Sequence, residues 1–202
     1  MYLIRIPKVL TTFFPPYQWK VKEHEIALTF DDGPHPESTL QLLKILSEAN
    51  CTSTHFLLGE NTNSYPDLVE NIRADDHAIG HHSYSHLNSC KTPKDVYLKD
   101  VEKAYQLIQT PLFRPPYGKI KSRYWKEIAQ LHPEMKCCLF NLMPGDFDVK
   151  VNNQLLEKRM QKVKGGDIIV LHDRPDCLAK YNSFLKDWIL EMKAKGYVFV
   201  TL

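Results

Sequence analysis

The sequence lacks the features that would assign it to several specialised classes of protein. Its 202 residues contain no block of Lys and Arg, and the net charge is only +2, so a nucleic-acid partner is not expected. Five cysteines form no CxxC pair, and Cys137 and Cys138 are adjacent, which predicts reduced, mostly buried thiols instead of a disulfide framework. No internal repeat or low-complexity tract is visible. This length, with 43% apolar residues, is typical of a single globular domain, and a monomer is expected.

The N-terminus reads MYLIRIPKVLTTFFPPYQWK and contains no long uninterrupted apolar run. Arg5, Pro7 and Lys8 interrupt it, and no small-residue cleavage site follows, so neither a signal peptide nor a membrane-spanning helix is expected. We predict that residues 1–23 form an arm that packs on a single domain of residues 24–202. The alternative is contact with a membrane surface, because basic residues stand beside a group of aromatic ones. The expected location is the cytoplasm, at the inner membrane if that alternative is correct.

Seven short apolar runs predict the strands of a buried parallel sheet. The runs are near-continuous and do not alternate with polar residues, which is typical of strands covered on both faces. They occupy residues 25–30, 52–58, 78–82, 111–114, 136–142, 167–172 and 197–201.

Helical patterns separate these runs. Thr92 as N-cap and Pro93 as first helical residue predict a helix that ends near Gln109, and Gly196 is expected to end the last helix. Apolar residues at three- and four-residue spacing predict the other helices at 37–49, 66–75, 122–131, 152–163 and 183–195. Strand–helix alternation repeated about seven times without a linker predicts one α/β domain with a parallel sheet. The alternation alone leaves open whether that sheet closes into a barrel.

Chemically reactive residues stand at the ends of several predicted strands. In strand order they are Asp31 and Asp32, His82, Arg114, Asp146 and His172. The carboxyl ends of parallel strands form one face of the sheet, and sites are built there. We therefore expect residues that are far apart in the sequence to lie close together.

Two histidines and the adjacent aspartates predict a metal site. His82 and His86 are four residues apart, so one helical turn would direct both imidazoles to the same side. Such a pair and one carboxylate make a metal site with open positions for water and substrate. The second carboxylate could then act as the base for water, and the cation would offset the repulsion between Asp31 and Asp32. Taken alone, DDGP also fits a solvated turn in which Asp31 caps the next helix.

Two further residues have both a catalytic and a structural interpretation. His172 ends a strand and could give a proton to a leaving amine or alcohol near neutral pH, or it could be a histidine satisfied by a local hydrogen bond. Arg114 precedes two prolines and could pair with Asp31 and keep it ionised, or it could form an ordinary structural salt bridge.

Together these residues resemble the polysaccharide deacetylase family, which is carbohydrate esterase family four. The resemblance covers the chain from about residue 24 to the C-terminus, and the motifs occur in family order: TFDDGP at 29–34, HSYSH at 82–86, RPPYG at 114–118 and LHD at 171–173. It implies a distorted (β/α)7 barrel and metal-dependent removal of N-acetyl groups from amino sugars of a polysaccharide, oligosaccharide or glycolipid. An O-acetyl esterase of the xylan type and a non-catalytic glycan-binding domain are the alternatives. A non-haem iron oxygenase would use the same ligand set but needs a cosubstrate site that the sequence does not show.

The resemblance also implies a role for each motif residue. Asp31 would be the catalytic base. Asp32, His82 and His86 would hold a divalent metal, usually zinc, with cobalt or nickel in some members. The metal and the backbone N–H of Tyr117 would stabilise the oxyanion.

Other implied roles concern the acid and the substrate pocket. His172 would protonate the departing amine, Arg114 would orient Asp31, and Asp146 would tune His172. The implied pocket residues are Pro116, Phe147, Val170 and Leu171.

The sequence departs from the family pattern in the residues that face the substrate. The fourth motif is usually D-x-x-D-W, whereas here Met143 replaces the first aspartate and Phe147 replaces the tryptophan. Val170 stands at the leucine that lines the acetyl-methyl pocket in the family. The metal, base and acid positions are all retained, so catalysis is expected with an altered substrate wall.

Overall fold

A computed structural model describes residues 2–7 and 17–202 of the chain. Within those residues, eight strands form one sheet in which every pairing between strands is parallel. The strands are β1 (Tyr17–Gln18), β2 (Glu25–Asp31), β3 (Thr54–Leu57), β4 (Ala78–His81), β5 (Leu112–Phe113), β6 (Lys136–Cys138), β7 (Ile168–His172) and β8 (Val198–Phe199).

The sheet curls on itself. Its strand order is β1-β6-β5-β4-β3-β2-β7, and β8 pairs with β2. After β6 the chain continues to Leu142, which forms a parallel bridge with Ile169 of β7 and thereby joins distant strands of the order. The predicted α/β fold with a parallel, barrel-like sheet is confirmed. The predicted run 136–142 is regular only to Cys138, because its second half leaves β5 and turns toward β7.

Helices cover the outside of the sheet. They are α1 (Thr39–Glu48), α2 (Gly59–Ser64), α3 (Pro66–Ala74), α4 (Lys94–Ile108), α5 (Ser122–Leu131), α6 (Asn153–Met160), α7 (Pro175–Tyr181) and α8 (Leu185–Ala194). A short 3-10 turn spans Pro116–Gly118. The sequence did not predict α2 and α7, since GENTNS has no apolar stripe and α7 is too short to show one.

Residues at the helix ends explain where several helices begin or end. Asn152 caps α6 by accepting a hydrogen bond from the backbone N–H of Leu155 at 2.9 Å. Gly196, with φ 89°, follows α8, as predicted. Pro93 is the residue before α4 and not its first helical residue, because its own backbone is extended, with a ψ of 148°.

Side chains along β2 point alternately to the core and to the inside of the curled sheet. Ile26, Leu28 and Phe30 are fully buried in the core between the sheet and the helices. Residues of the other parity, such as Thr29 and Asp31, therefore point to the inside of the curled sheet. The burial of both faces explains why the run is continuously apolar until Asp31.

Residues 2–7, called here the N-terminal segment, pack on the domain beside β7. The backbone N–H of Ile6 donates to the carbonyl of Asn141 at 2.9 Å, and that of Met143 donates to the carbonyl of Ile4 at 2.8 Å. The membrane-surface alternative depends on basic residues beside Phe13, Phe14, Tyr17 and Trp19, and of these aromatic residues Phe13 and Phe14 lie outside the described residues. No helix formed by the described residues has the length and apolar character needed to cross a bilayer.

The five cysteines are free thiols. Four of them are buried and Cys90 is exposed, in agreement with the sequence-based expectation. Burial raises the pKa of Cys51 to about 12 and that of Cys138 to about 11, so these thiols stay protonated and are not nucleophiles.

Candidate metal centre and catalytic residues

The two adjacent aspartates leave β2 in different directions. Asp31 is the last residue of the strand, and Asp32 has a φ of 74°, in the left-handed region that Asp and Asn tolerate better than most residues. Asn61 on α2 holds this turn, because its side-chain amide donates to the carbonyl of Asp32 at 2.8 Å. The turn gives the two carboxylates different sets of partners, although both lie 3.8 Å from Nε2 of His82.

The two histidines of HSYSH lie on a loop and not on a helical turn, which corrects the expectation from their spacing. His86 has a φ of 58°, which no helix allows. Asp100 on α4 stabilises the loop by accepting hydrogen bonds from the backbone N–H groups of Tyr84 (3.0 Å) and Ser85 (3.2 Å). The rings of His82 and His86 nevertheless meet, with centroids 5.0 Å apart.

Asp32, His82 and His86 form a group that could hold a metal ion. Oδ1 of Asp32 lies 3.8 Å from Nε2 of His82 and 3.5 Å from Nε2 of His86. Oδ1 is buried and has no hydrogen-bond partner among the described residues. A buried carboxylate oxygen without a partner is unfavourable unless a cation compensates it. The donor set therefore fits a divalent metal with open positions for water and substrate.

His82 is prepared to act as a ligand. Its Nδ1 lies 2.7 Å from the carbonyl oxygen of Arg114, which can only accept, so Nδ1 carries the hydrogen and Nε2 carries the lone pair. Burial lowers the pKa of His82 to about 3, against the opposing charge of Asp32, and the ring is neutral at physiological pH. A neutral imidazole with its second nitrogen hydrogen-bonded is the form that binds metals in proteins.

Asp31 is held by Arg114, as the sequence suggested. Nη1 of Arg114 donates to Oδ1 of Asp31 at 2.8 Å and to the hydroxyl of Thr29 at 2.6 Å, and the arginine is completely buried. Its Nε donates to the carbonyl of Cys138 at 3.1 Å. The second carboxylate oxygen of Asp31 lies 3.8 Å from Nε2 of His82. Arg114 thus fixes one oxygen of Asp31 while the other faces the candidate metal group.

His172, which is paired in register with Asp31 on the neighbouring strand, is bonded to Asp146. Nδ1 of His172 lies 2.9 Å from Oδ1 of Asp146, and the backbone N–H of His172 donates to Oδ2 at 2.7 Å. Burial by itself lowers the pKa of His172, but the charge and hydrogen bond of Asp146 outweigh it and raise the pKa to about 9. His172 is therefore a protonated imidazole at neutral pH.

A cleft of about 520 Å³ contains these groups. The candidate base, metal ligands and acid all line it, as do Tyr117, Phe147 and Val170. Tyr117 is 56% exposed and has a φ of 62°, and its ring lies 4.7 Å from that of His86.

Two of the implied pocket residues are not part of the cleft lining. Leu171 is completely buried in the core with the helices, because its side chain points to the opposite face of β7 from that of Val170. Pro116, the first residue of the 3-10 turn, is buried and does not line the cleft either. The predicted pocket positions of both residues are corrected accordingly.

Sequence reasoning missed several residues that line the cleft. Arg174 forms a two-point ion pair with Asp176 (3.0 and 2.7 Å), and its Nη1 lies 3.6 Å from Oδ2 of Asp32. Its position directly after LHD was the available signal. The cleft is also lined by Tyr2, Leu3 and Ile6 of the N-terminal segment and by Trp19 and Lys119. No local sequence pattern predicts contacts between residues so far apart in the chain.

Asp146 and His172 form a second candidate metal group with Cys177. Both carboxylate oxygens of Asp146 are already used by His172. Burial, and then the charge of Asp146, raise the pKa of the Cys177 thiol, which favours the protonated form that does not bind metals. The group built on Asp32 is the better metal candidate.

Comparison with known proteins links this site to a family. Residues 19–135 match the family model described as polysaccharide deacetylase. A peptidoglycan-N-acetylglucosamine deacetylase of Bacillus cereus is 31% identical over 204 residues, which cover 98% of this chain and 72% of that protein. A second protein of that name from the same organism is 30% identical over 191 residues, covering 91% and 90% of the two chains.

The fold is similar to that of solved deacetylases. One is a peptidoglycan N-acetylglucosamine deacetylase crystallised with a naphthyl-substituted N-hydroxybenzamide. This structure and that one superpose with a TM-score of 0.87, their sequences are 30% identical, and the match covers 95% of each chain.

Proposed function

This chain belongs to the polysaccharide deacetylase family, and from that premise we propose that it is a metal-dependent hydrolase that removes N-acetyl groups from amino sugars of a polysaccharide or oligosaccharide. One observation carries the proposal. A two-histidine, one-carboxylate group shares one cleft with a carboxylate held by a buried arginine and an imidazolium held by a buried aspartate. Amide hydrolysis needs a base, an electrophile and an acid in this arrangement.

The metal would be held by Asp32, His82 and His86. When bound, a divalent cation would polarise the acetamide carbonyl and make water a better nucleophile. Two imidazoles and one carboxylate with an open position are a donor set typical of zinc, and cobalt or nickel are the alternatives.

Asp31 is the proposed base. Its Oδ1 is held by Arg114, so Oδ2 is the oxygen that takes a proton from the attacking water. Because Arg114 is completely buried and bonded on several sides, it also fixes the direction in which Oδ2 points. Arg114 is therefore a positioning residue.

His172 is the proposed acid. Its Nδ1 is bonded to Asp146, which leaves Nε2 to donate a proton to the amine nitrogen as the carbon–nitrogen bond breaks. With a pKa of about 9, the imidazole holds that proton across the neutral range. The backbone N–H of Tyr117, presented by its left-handed turn, is the proposed donor to the oxyanion.

The proposed substrate is a glycan that contains N-acetylglucosamine. Support comes from two relatives at 30% identity or more, which are named as peptidoglycan-N-acetylglucosamine deacetylases. The apolar side of the cleft, with Phe147 and Val170, suits a methyl group and the hydrophobic face of a sugar ring.

Acetate release by the zinc-loaded protein tests the proposal. We expect release from chitotetraose and from peptidoglycan, and loss of that release in Asp31→Asn with metal content unchanged. Release only from acetylated xylan would indicate an O-acetyl esterase. No release from any of these substrates at full metal occupancy would indicate a non-catalytic glycan-binding domain.

A further inference from the structure

We propose that the N-terminal segment is part of the active site: Tyr2 positions Phe147 beside His172, and Leu3 and Ile6 form a specificity-determining wall of the substrate cleft. This inference rests on the proposed function, since it concerns how the same cleft selects its glycan. It also assigns a role to a part of the chain that lies outside the family motifs.

The N-terminal segment is anchored at several points along its length. Arg5 donates to both carboxylate oxygens of Asp167 at 2.7 Å, and Asp167 is only 1% exposed. The backbone of Arg5 forms an antiparallel bridge with Leu142. A two-point ion pair with a buried carboxylate and a backbone bridge hold the segment in one register. Its cleft-facing residues are therefore fixed in place before a substrate arrives.

Tyr2 is fitted to the loop that carries Asp146. Nη1 of Arg159 donates to the hydroxyl of Tyr2 at 3.0 Å and to the carbonyl of Pro144 at 2.7 Å, which ties the ring to this loop. Gly145 has a φ of 92°, and a Cβ atom there would overlap the hydroxyl of Tyr2. The glycine thus serves both the backbone conformation and the close approach of the tyrosine.

An aromatic chain links the N-terminal segment to the proposed acid. The ring of Tyr2 lies 5.0 Å from that of Phe147, and the ring of Phe147 lies 5.2 Å from the imidazole of His172 in an edge-to-face contact. Phe147 occupies the position of the tryptophan in the usual fourth motif and is smaller. Tyr2 packs against Phe147 and so restricts the orientations that Phe147, and through it His172, can adopt.

Leu3 and Ile6 extend the apolar side of the cleft. Both line the cleft together with Trp19 and Met143, and the residues of the metal group line the same cleft. Leu3 is 50% exposed, so its side chain is available to a sugar next to the one that reacts. The apolar C–H face of a pyranose ring would cover it, and its removal should weaken binding of oligosaccharides without altering the chemistry.

The wall is tested with Leu3→Ala and a matched control. Leu40→Ala removes the same kind of side chain at nearly the same exposure, 51%, from α1, outside the cleft. We expect Leu3→Ala to raise the KM for chitotetraose about three- to ten-fold with kcat unchanged, whereas Leu40→Ala leaves both constants unchanged. Equal KM values for the two variants would overturn the assignment of Leu3.

The positioning role is tested with Tyr2→Ala and Tyr2→Phe. Tyr2→Ala should lower kcat about ten-fold, with a smaller change in KM, and should shift the imidazole proton resonances of His172, which lie in the ring current of Phe147. Tyr2→Phe keeps the ring and should restore both readouts. A Tyr2→Ala protein with unaltered kcat and unaltered His172 resonances would overturn the inference.

The resonance measurement separates this inference from the proposed function, because it requires no turnover. A wild-type protein that releases no acetate would refute the proposed function. The inference would then be decided by whether Tyr2→Ala, and not Tyr2→Phe, moves the His172 resonances. Melting temperatures of the variants show whether a loss of folding contributes, and Leu3→Ala, at an exposed position, keeps the wall testable if Tyr2→Ala does not fold.

Discussion

Replacement of Asp146 by Asn should disable the proposed acid by changing its protonation state. In the native protein, burial lowers the pKa of His172, but the charge and hydrogen bond of Asp146 raise it to about 9 from an ordinary value of 6.5. Asn keeps the size of the side chain and removes the charge. Burial is then opposed only by the charges of Asp32 and Asp31, and the pKa of His172 should fall toward its ordinary value of 6.5.

The magnitude follows from the two protonation equilibria. At pH 8, a group with a pKa of about 9 is about 90% protonated, whereas one with a pKa of 6.5 is about 3% protonated. We therefore expect kcat to fall up to about thirty-fold at pH 8 in Asp146→Asn, and up to about four-fold at pH 7. The bound cation lowers the pKa of His172 in both proteins, so the comparison is made between their metal-loaded forms.

The assay is the pH dependence of kcat for acetate release from chitotetraose between pH 5 and pH 10. The alkaline limb should move to lower pH by up to about two units in Asp146→Asn. Asp187→Asn makes the same chemical change on the exposed side of α8 and should leave the profile unchanged. An unchanged alkaline limb in Asp146→Asn would refute the reasoning that Asp146 keeps His172 protonated.

Three further predictions follow from the same geometry. Asp32→Ala should lose the metal, whereas Asp31→Asn should retain it and lose turnover; equal metal content in both proteins, measured by mass spectrometry, would contradict the division of roles. Arg114→Met should lower the free energy of unfolding by about 3–5 kcal/mol, because it leaves the buried carboxylate of Asp31 unpaired, and adding Asp31→Asn should recover part of that loss in urea denaturation. His81→Phe should stabilise the protein by about 1–3 kcal/mol in the same assay. The ring of His81 stacks on Phe113, and neither of its buried ring nitrogens has a hydrogen-bond partner among the described residues. A loss of stability in this variant would contradict the prediction.

The proton equilibrium of His172 also links pH to folding. Its folded-state pKa of about 9 lies above the ordinary value of 6.5, so the interaction with Asp146 stabilises the fold fully below pH 6.5. That contribution should be lost as the pH rises from 6.5 through about 9. A melting temperature of the native protein that falls over this window, with a smaller fall in Asp146→Asn, is the expected result.

The strands and their convergence could be predicted from the sequence because burial on both faces leaves a continuous apolar run. Once the strands are parallel, residues at their carboxyl ends must meet, and this is why Asp31, His82, Arg114 and His172 could be placed together before the structure was known. The pairing of Arg114 with Asp31 followed from the same argument.

Other features of the site depend on interactions that the local sequence does not show. The spacing of His82 and His86 suggested a helical turn, but Asp100, on a helix further along the chain, supplies the hydrogen bonds that keep the segment a loop. The choice between Val170 and Leu171 as the pocket residue depends on the register of β7, which the apolar run 167–172 leaves undetermined because both faces are apolar. The position of Tyr2 beside Phe147 is a contact between distant residues, and no periodicity predicts it.

The central claim is that Asp32, His82 and His86 hold a metal on which hydrolysis depends. The most direct measurement removes all metal from the protein, returns zinc in steps, and follows bound zinc and acetate release from chitotetraose in the same samples. We predict that acetate release rises in proportion to zinc up to one equivalent per chain, and that His86→Ala shows neither tight binding nor release. Acetate release by the metal-free protein, or full zinc occupancy in His86→Ala, would contradict the claim.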